Sequence, residues 1–208
     1  MIGLFNRYGT RLPAAVALWE ASGFAQPAPQ TVTLTNLYTF TGEADGAFTH
    51  SPLVRNANDE NYLWGTASGG GSDWGSYGCG TVFKMHTGGF FDVQTVYQFP
   101  GTDTSAVMCR PNSLTVTAAG RVYGTTRNGA VFEIVPSGAG HDANVLYTFS
   151  ADDALKGVLA TSNGVLIGVA QEGAGIGGCG YIFELFPPGK NPSCTASTTT
   201  LTGAIRAV

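Results

Sequence analysis

The amino-acid sequence predicts an all-β fold, a β-propeller assembled from four-stranded blades of about 50 residues. Three observations carry this prediction. Glycine accounts for 30 of the 208 residues while 12% are charged, a balance that favours many turns and short half-buried strands over amphipathic helices. An apolar content of 43% is enough to fill a core. The chain also repeats itself, and a self-similar period of this length marks a propeller or a solenoid. Propeller blades bury both faces against their neighbours, which accounts for a bulky aromatic at the same place in every copy and for glycines at the corners. Stacked β-solenoid coils are the rival architecture.

In chain order, "NRYGTRLPAAVALWE" (Asn6 to Glu20) aligns with "GRVYGTTRNGAVFEI" and reads as the last two strands of a partial blade over residues 1–30. The overlapping segment from Arg11 to Gln30 has features of a secretory leader, a basic start, an apolar stretch and a small-residue site, which Glu20 interrupts. Complete blades follow at 36–89, 96–138 and 145–189. Each opens on a Tyr-x-Phe strand and an acidic turn. A strand around Leu53, Leu114 or Leu159 comes next, then Trp64-Gly65-Thr66, Tyr123-Gly124-Thr125 or Ile167-Gly168-Val169. A Val-Phe or Ile-Phe strand closes each unit at Phe83, Phe132 and Phe183, spaced by 49 and 51 residues.

The C-terminal stretch 195–208 contains "TTTLTG" (Thr198 to Gly203), which resembles "LYTFTG" (Leu37 to Gly42) and reads as a closing strand. A chain that starts late in one blade and ends early in the same blade can complete one sheet from both termini, which removes an exposed edge. The expected ring therefore has four blades. The closing blade lacks its second strand, so a homo-oligomeric ring of about eight blades from two chains, or a segment of a longer array, is the alternative.

The grammar "LYTFTG.ADG … YGTT … GCGTVFK" resembles the bacterial GloVer-type tandem repeat. It is carried by Tyr38, Phe40, Gly42, Asp45 and Gly46, by Gly65-Thr66, by Gly78 through Phe83, and by Tyr123 through Thr126. The third copy departs from it, with Ile167-Gly168-Val169 in place of Tyr-Gly-Thr. The resemblance covers nearly the whole chain. It implies a propeller-like, extracytoplasmic array, secreted, periplasmic or at the cell surface, and carries no activity or catalytic residues.

The acidic turns are the first candidate site. Repetition places Asp45, Asp103 and Asp153 in a ring about a propeller axis, and converging carboxylates are hard oxygen ligands suited to Ca²⁺. Such a metal can polarise a carbonyl and activate water, the chemistry of a lactone- or ester-cleaving hydrolase. The simpler reading is that these aspartates cap turns on their own backbone.

A second candidate is the polar set before the second strand of each copy: His50 and Ser51, Arg110 and Asn112, and Lys156. If that strand is innermost, these side chains line one mouth of the channel, with His50 as a general base or, more simply, as a surface histidine. Among the aromatics, Trp64 and Tyr123 sit at regular strand positions and read as core. Trp74 and Tyr77, inside "GGGSDWGSYGCG", read as ligand-stacking residues for a glycan or other small molecule.

The four cysteines form no C-x-x-C pair, against a zinc site. Cys79 and Cys179 share a Gly-Cys-Gly slot and are expected to pack, leaving Cys194 and Cys109 as the plausible pair. "GAGIGG" (Gly173 to Gly178) fits a dinucleotide fingerprint in letters only, since no helix is expected after it. "NANDEN" (Asn56 to Asn61) reads as a polar hairpin. A net charge of −4 disfavours a nucleic-acid partner, and no apolar run approaches the roughly 18 residues of a membrane-spanning helix.

Overall fold

Valine-, threonine- and phenylalanine-rich segments broken by glycine form short antiparallel strands. The computed structural model describes residues 32–71, 78–89, 91–101, 105–150, 154–171 and 180–187, and the backbone of 205–207. The chain divides into two compact units, Met1–Thr35 and Asn36–Val208; every strand described belongs to the second. Sheet 1 runs β1 (Val54–Asn56), β2 (Asp59–Ala67), β3 (Thr81–His86) and β4 (Val93–Gln98). Sheet 2 runs β5 (Pro111–Val116), β6 (Val122–Thr126), β7 (Ala130–Ser137) and β8 (Gly140–Thr148). Sheet 3 runs β9 (Leu155–Ala160), β10 (Leu166–Ala170), β11 (Tyr181–Leu185) and β12 (Ile205–Ala207). All three are antiparallel with neighbours in chain order, and the described residues contain no helix. The protein is all-β, as expected.

The repeat glycine and phenylalanine explain each other. Gly65, Gly124 and Gly168 face Phe83, Phe132 and Phe183 across the β2–β3, β6–β7 and β10–β11 ladders. In each pair the phenyl ring lies over the glycine, so closely that a Cβ there would overlap the ring. A side chain at the glycine would displace the ring that fills the core.

Two cores join the three sheets face to face. One packs Val82, Trp64 and Val54 of sheet 1 against Leu114, Val122 and Phe132 of sheet 2. The other packs Tyr123 and Val131, on the opposite face of sheet 2, against Val158, Leu166 and Phe183 of sheet 3. Sheet 2 is thereby buried on both faces. The first strands come together, β5 touching both β1 and β9.

Sheet boundaries fall one strand out of phase with the sequence copies. The Tyr-x-Phe segments opening copies two and three belong to β4 and β8, the last strands of the preceding sheets, with Tyr97 opposite Val82 and Tyr147 opposite Val131. The reason is local. A short connection folds that segment back on the closing strand. Tyr38–Phe40 forms no strand, and Phe40 instead stacks on Phe83 at 4.9 Å. Val158, rather than Leu159, is the counterpart of Leu114, because Gly168 pairs with Val158 and Gly124 with Leu114. Leu159 is consequently exposed.

Cys79 and Cys109 form a disulfide, Cα–Cα 4.6 Å, between sheet 1 and the segment leading into sheet 2. This corrects the expected pairing of Cys109 with Cys194. The sequence equivalence of Cys79 and Cys179 suggests packing, but the spatial neighbour of Cys79 is Cys109, in the segment leading into β5. Cys179, Cys194, residues 6–20, Thr198–Gly203 and "GAGIGG" lie outside the described residues.

Candidate functional site

At one end of the first strands the chain reaches β1, β5 and β9 through a residue in left-handed backbone conformation: Phe48 (φ 57°), Arg110 (φ 60°) and Ala154 (φ 41°). Non-glycine residues rarely occupy this region and pay about 1–2 kcal/mol there. The three are structurally equivalent. The carbonyl of each accepts the N–H of the residue just past the second strand: Ser68 on Phe48 at 3.2 Å, Arg127 on Arg110 at 2.9 Å, and Gln171 on Ala154 at 3.3 Å. All six residues line one open cavity of about 1150 Å³, slightly above the roughly 300–1,000 Å³ of ordinary small-ligand sites.

The polar set read from the sequence converges here. His50, Ser51, Arg110, Asn112 and Lys156 all line this cavity, drawn from the starts of β5 and β9 and from the segments leading into β1 and β5. Their roles differ. Ser51 Oγ accepts from the Thr66 N–H (3.1 Å) and hydroxyl (2.8 Å), tying β2 to the segment before β1. Asn112, its counterpart in sheet 2, accepts from the Thr125 hydroxyl and donates to the Leu155 carbonyl, bridging sheets 2 and 3. These two brace the rim. The counterpart in sheet 3 is Lys156, and the residue standing where Thr66 and Thr125 stand is Val169, which has no hydroxyl to offer. The change that makes the third copy degenerate thus removes the brace and leaves an exposed cation.

Sequence reasoning missed Arg127, Ser68 and Gln171. A signal for them exists, since each stands three residues beyond the repeat glycine, at 65, 124 and 168. Arg110 is also held from its other side: its N–H donates to the Cys79 carbonyl at 2.9 Å, next to the disulfide at Cys109.

Asp45 lies elsewhere in its own turn. Its Oδ2 accepts from the Tyr38 hydroxyl and the Thr41 N–H, both at 2.9 Å, and its Oδ1 from the Thr41 hydroxyl at 2.5 Å. Partial burial works against its ionisation, but the bonds from Thr41 and Tyr38 outweigh it and hold the carboxyl below its ordinary value. This is the turn-capping role, and Asp45 does not line the cavity. Among the described residues no group of three or more metal-ligating side chains comes together. Asp103, Asp153, Trp74 and Tyr77 lie outside the described residues. Tyr123 is core at 1% exposure, and Trp64 packs against the core between sheets 1 and 2.

No protein-family model matches the sequence, and no curated protein matches it. Among solved structures, an X-ray structure assigned as a gluconolactonase aligns at TM-score 0.42 and 13% identity. The alignment covers 62% of this chain and 42% of that one, so this chain spans less than half of that structure's length.

Proposed function

We propose that the protein is an extracytoplasmic, propeller-like repeat protein that binds a small molecule or glycan at the mouth formed by its first strands. The observation that carries this reading is the convergence on one cavity of polar side chains from the starts of β5 and β9 and the segments leading into β1 and β5, over a backbone strained at the same position before each first strand. Strain repeated at a cavity rim belongs with a binding role, because packing alone gives no reason to keep it. The buried Cys79–Cys109 disulfide supports an oxidising compartment. The alternative, a calcium-dependent hydrolase acting on a lactone or ester, draws no support from Asp45, which does not line the mouth.

The test is a set of thermal melts of the whole protein with neutral and acidic saccharides and small organic acids. A ligand that binds the native state raises the melting temperature by mass action. At least one compound is expected to do so, and Lys156→Trp, which fills the mouth from an exposed position, is expected to abolish the shift. A flat panel overturns the reading.

The three sheets are, in this proposal, blades of a four-bladed ring. Support comes from the far face of sheet 3. Ile182, Ile167 and Val169 occupy the places of Val131, Tyr123 and Thr125 in sheet 2, which the next sheet covers completely. In sheet 3 they are 55%, 40% and 46% exposed, a face built to be covered. If a fourth blade covers it, Ile182→Lys destabilises by about 2–3 kcal/mol in a protein whose solution mass is that of one 21.5 kDa chain. A twofold mass would assign the cover to a second copy.

A further inference from the structure

We propose that the mouth selects an oxyanionic ligand, one carrying more than one carboxylate, sulfate or phosphate group; the inference rests on the ligand-binding reading above. The chain has 10 lysines and arginines against 14 acidic residues, yet Arg110, Arg127 and Lys156 all line this cavity, with His50 beside them and no acidic side chain among its described lining residues. The contrast with other cations is informative. Arg121 is paired with Glu133 at 2.7 Å, and the Lys84 ammonium sits 4.8 Å above the Tyr62 ring. No ion pair among the described residues engages Arg110, Arg127 or Lys156.

Uncompensated like charges gathered in a concave site repel one another and focus a positive potential, which a bound anion relieves. Guanidinium groups bind carboxylate, sulfate and phosphate through paired N–H donors, while an ammonium acts as a point charge. Arg110 and Arg127 are held side by side by the bond between their backbones, and Lys156 approaches from the next sheet. Cations contributed by separate sheets around a wide mouth match a ligand with separated negative groups better than a single small ion. Phe48, exposed at the same rim, offers an apolar face for the ligand's carbon frame.

Isothermal titration of the full chain distinguishes the outcomes, using trigalacturonate as an acidic sugar, citrate and pyrophosphate as free polyanions, and maltotriose as a neutral sugar. At least one anionic probe is expected to bind, more weakly as salt rises. Arg127→Gln and Lys156→Gln should each weaken it about tenfold, and Arg55→Gln, an exposed cation outside the cavity, should leave it unchanged. Binding of trigalacturonate alone identifies the source as acidic glycan, and binding of citrate or pyrophosphate alone as a free small anion. Anion binding insensitive to both mouth variants overturns the inference. Maltotriose binding as tightly as trigalacturonate, with loss in Lys156→Trp, overturns the anion selectivity while sustaining the ligand-binding reading. Silence with every probe, together with a flat melting panel, overturns both.

Discussion

At the rim, single residues take different roles, and Ser51 and Asn112 act as braces. Ser51 and Asn112 were legible in the sequence as polar positions before the first strand of a sheet, but they are engaged with Thr66, Thr125 and Leu155. Sequence could not reveal this, because the partners stand 13 to 43 residues away. Ala154 tests the rim's strain. At φ 41° a glycine relieves a penalty of about 1–2 kcal/mol, partly offset by its greater freedom in the unfolded chain. Ala154→Gly is therefore expected to raise the urea midpoint by the equivalent of about 0.5–1 kcal/mol, and Ala154→Val to lower it. Asp45 governs part of the acid response. Its folded-state carboxyl lies below the ordinary value of 3.8, so its contribution is complete above that value and is lost as pH falls through the lower folded value. Urea titrations on either side of that window should show Asp45→Asn losing less stability on acidification than the parent.

At the scale of elements, the repeated glycine and phenylalanine set the geometry of every sheet. Both were conspicuous in the sequence, and their spacing announced the repeat, but that they oppose each other on neighbouring strands depends on register. Gly124→Ala forces a Cβ into the Phe132 ring. The expected loss is about 1–3 kcal/mol by chemical denaturation, partly recovered by pairing it with Phe132→Leu. The one-strand phase shift belongs to the same scale. A repeat fixes the cyclic order of strands, while the length of each connection decides where one sheet stops and the next begins.

For the whole described unit, two cores and one disulfide join the three sheets. The disulfide closes a loop of 30 residues, for which the chain-entropy model gives about 3–4 kcal/mol. Cys109→Ser is expected to lower the denaturation midpoint accordingly, and prior reduction should then have no further effect through this bond. Because Arg110 follows Cys109 and bonds to the Cys79 carbonyl, the same variant should also weaken ligand retention at the mouth.

By itself the sequence determined the all-β class and the polar residues before the first strand of each sheet, since composition and turn chemistry act over a few residues. Only the tertiary structure decided which polar residues brace the rim. It alone brought Arg127 to the mouth and joined Cys79 to Cys109. Those outcomes depend on which sheets stack against each other, and stacking joins residues far apart in the chain.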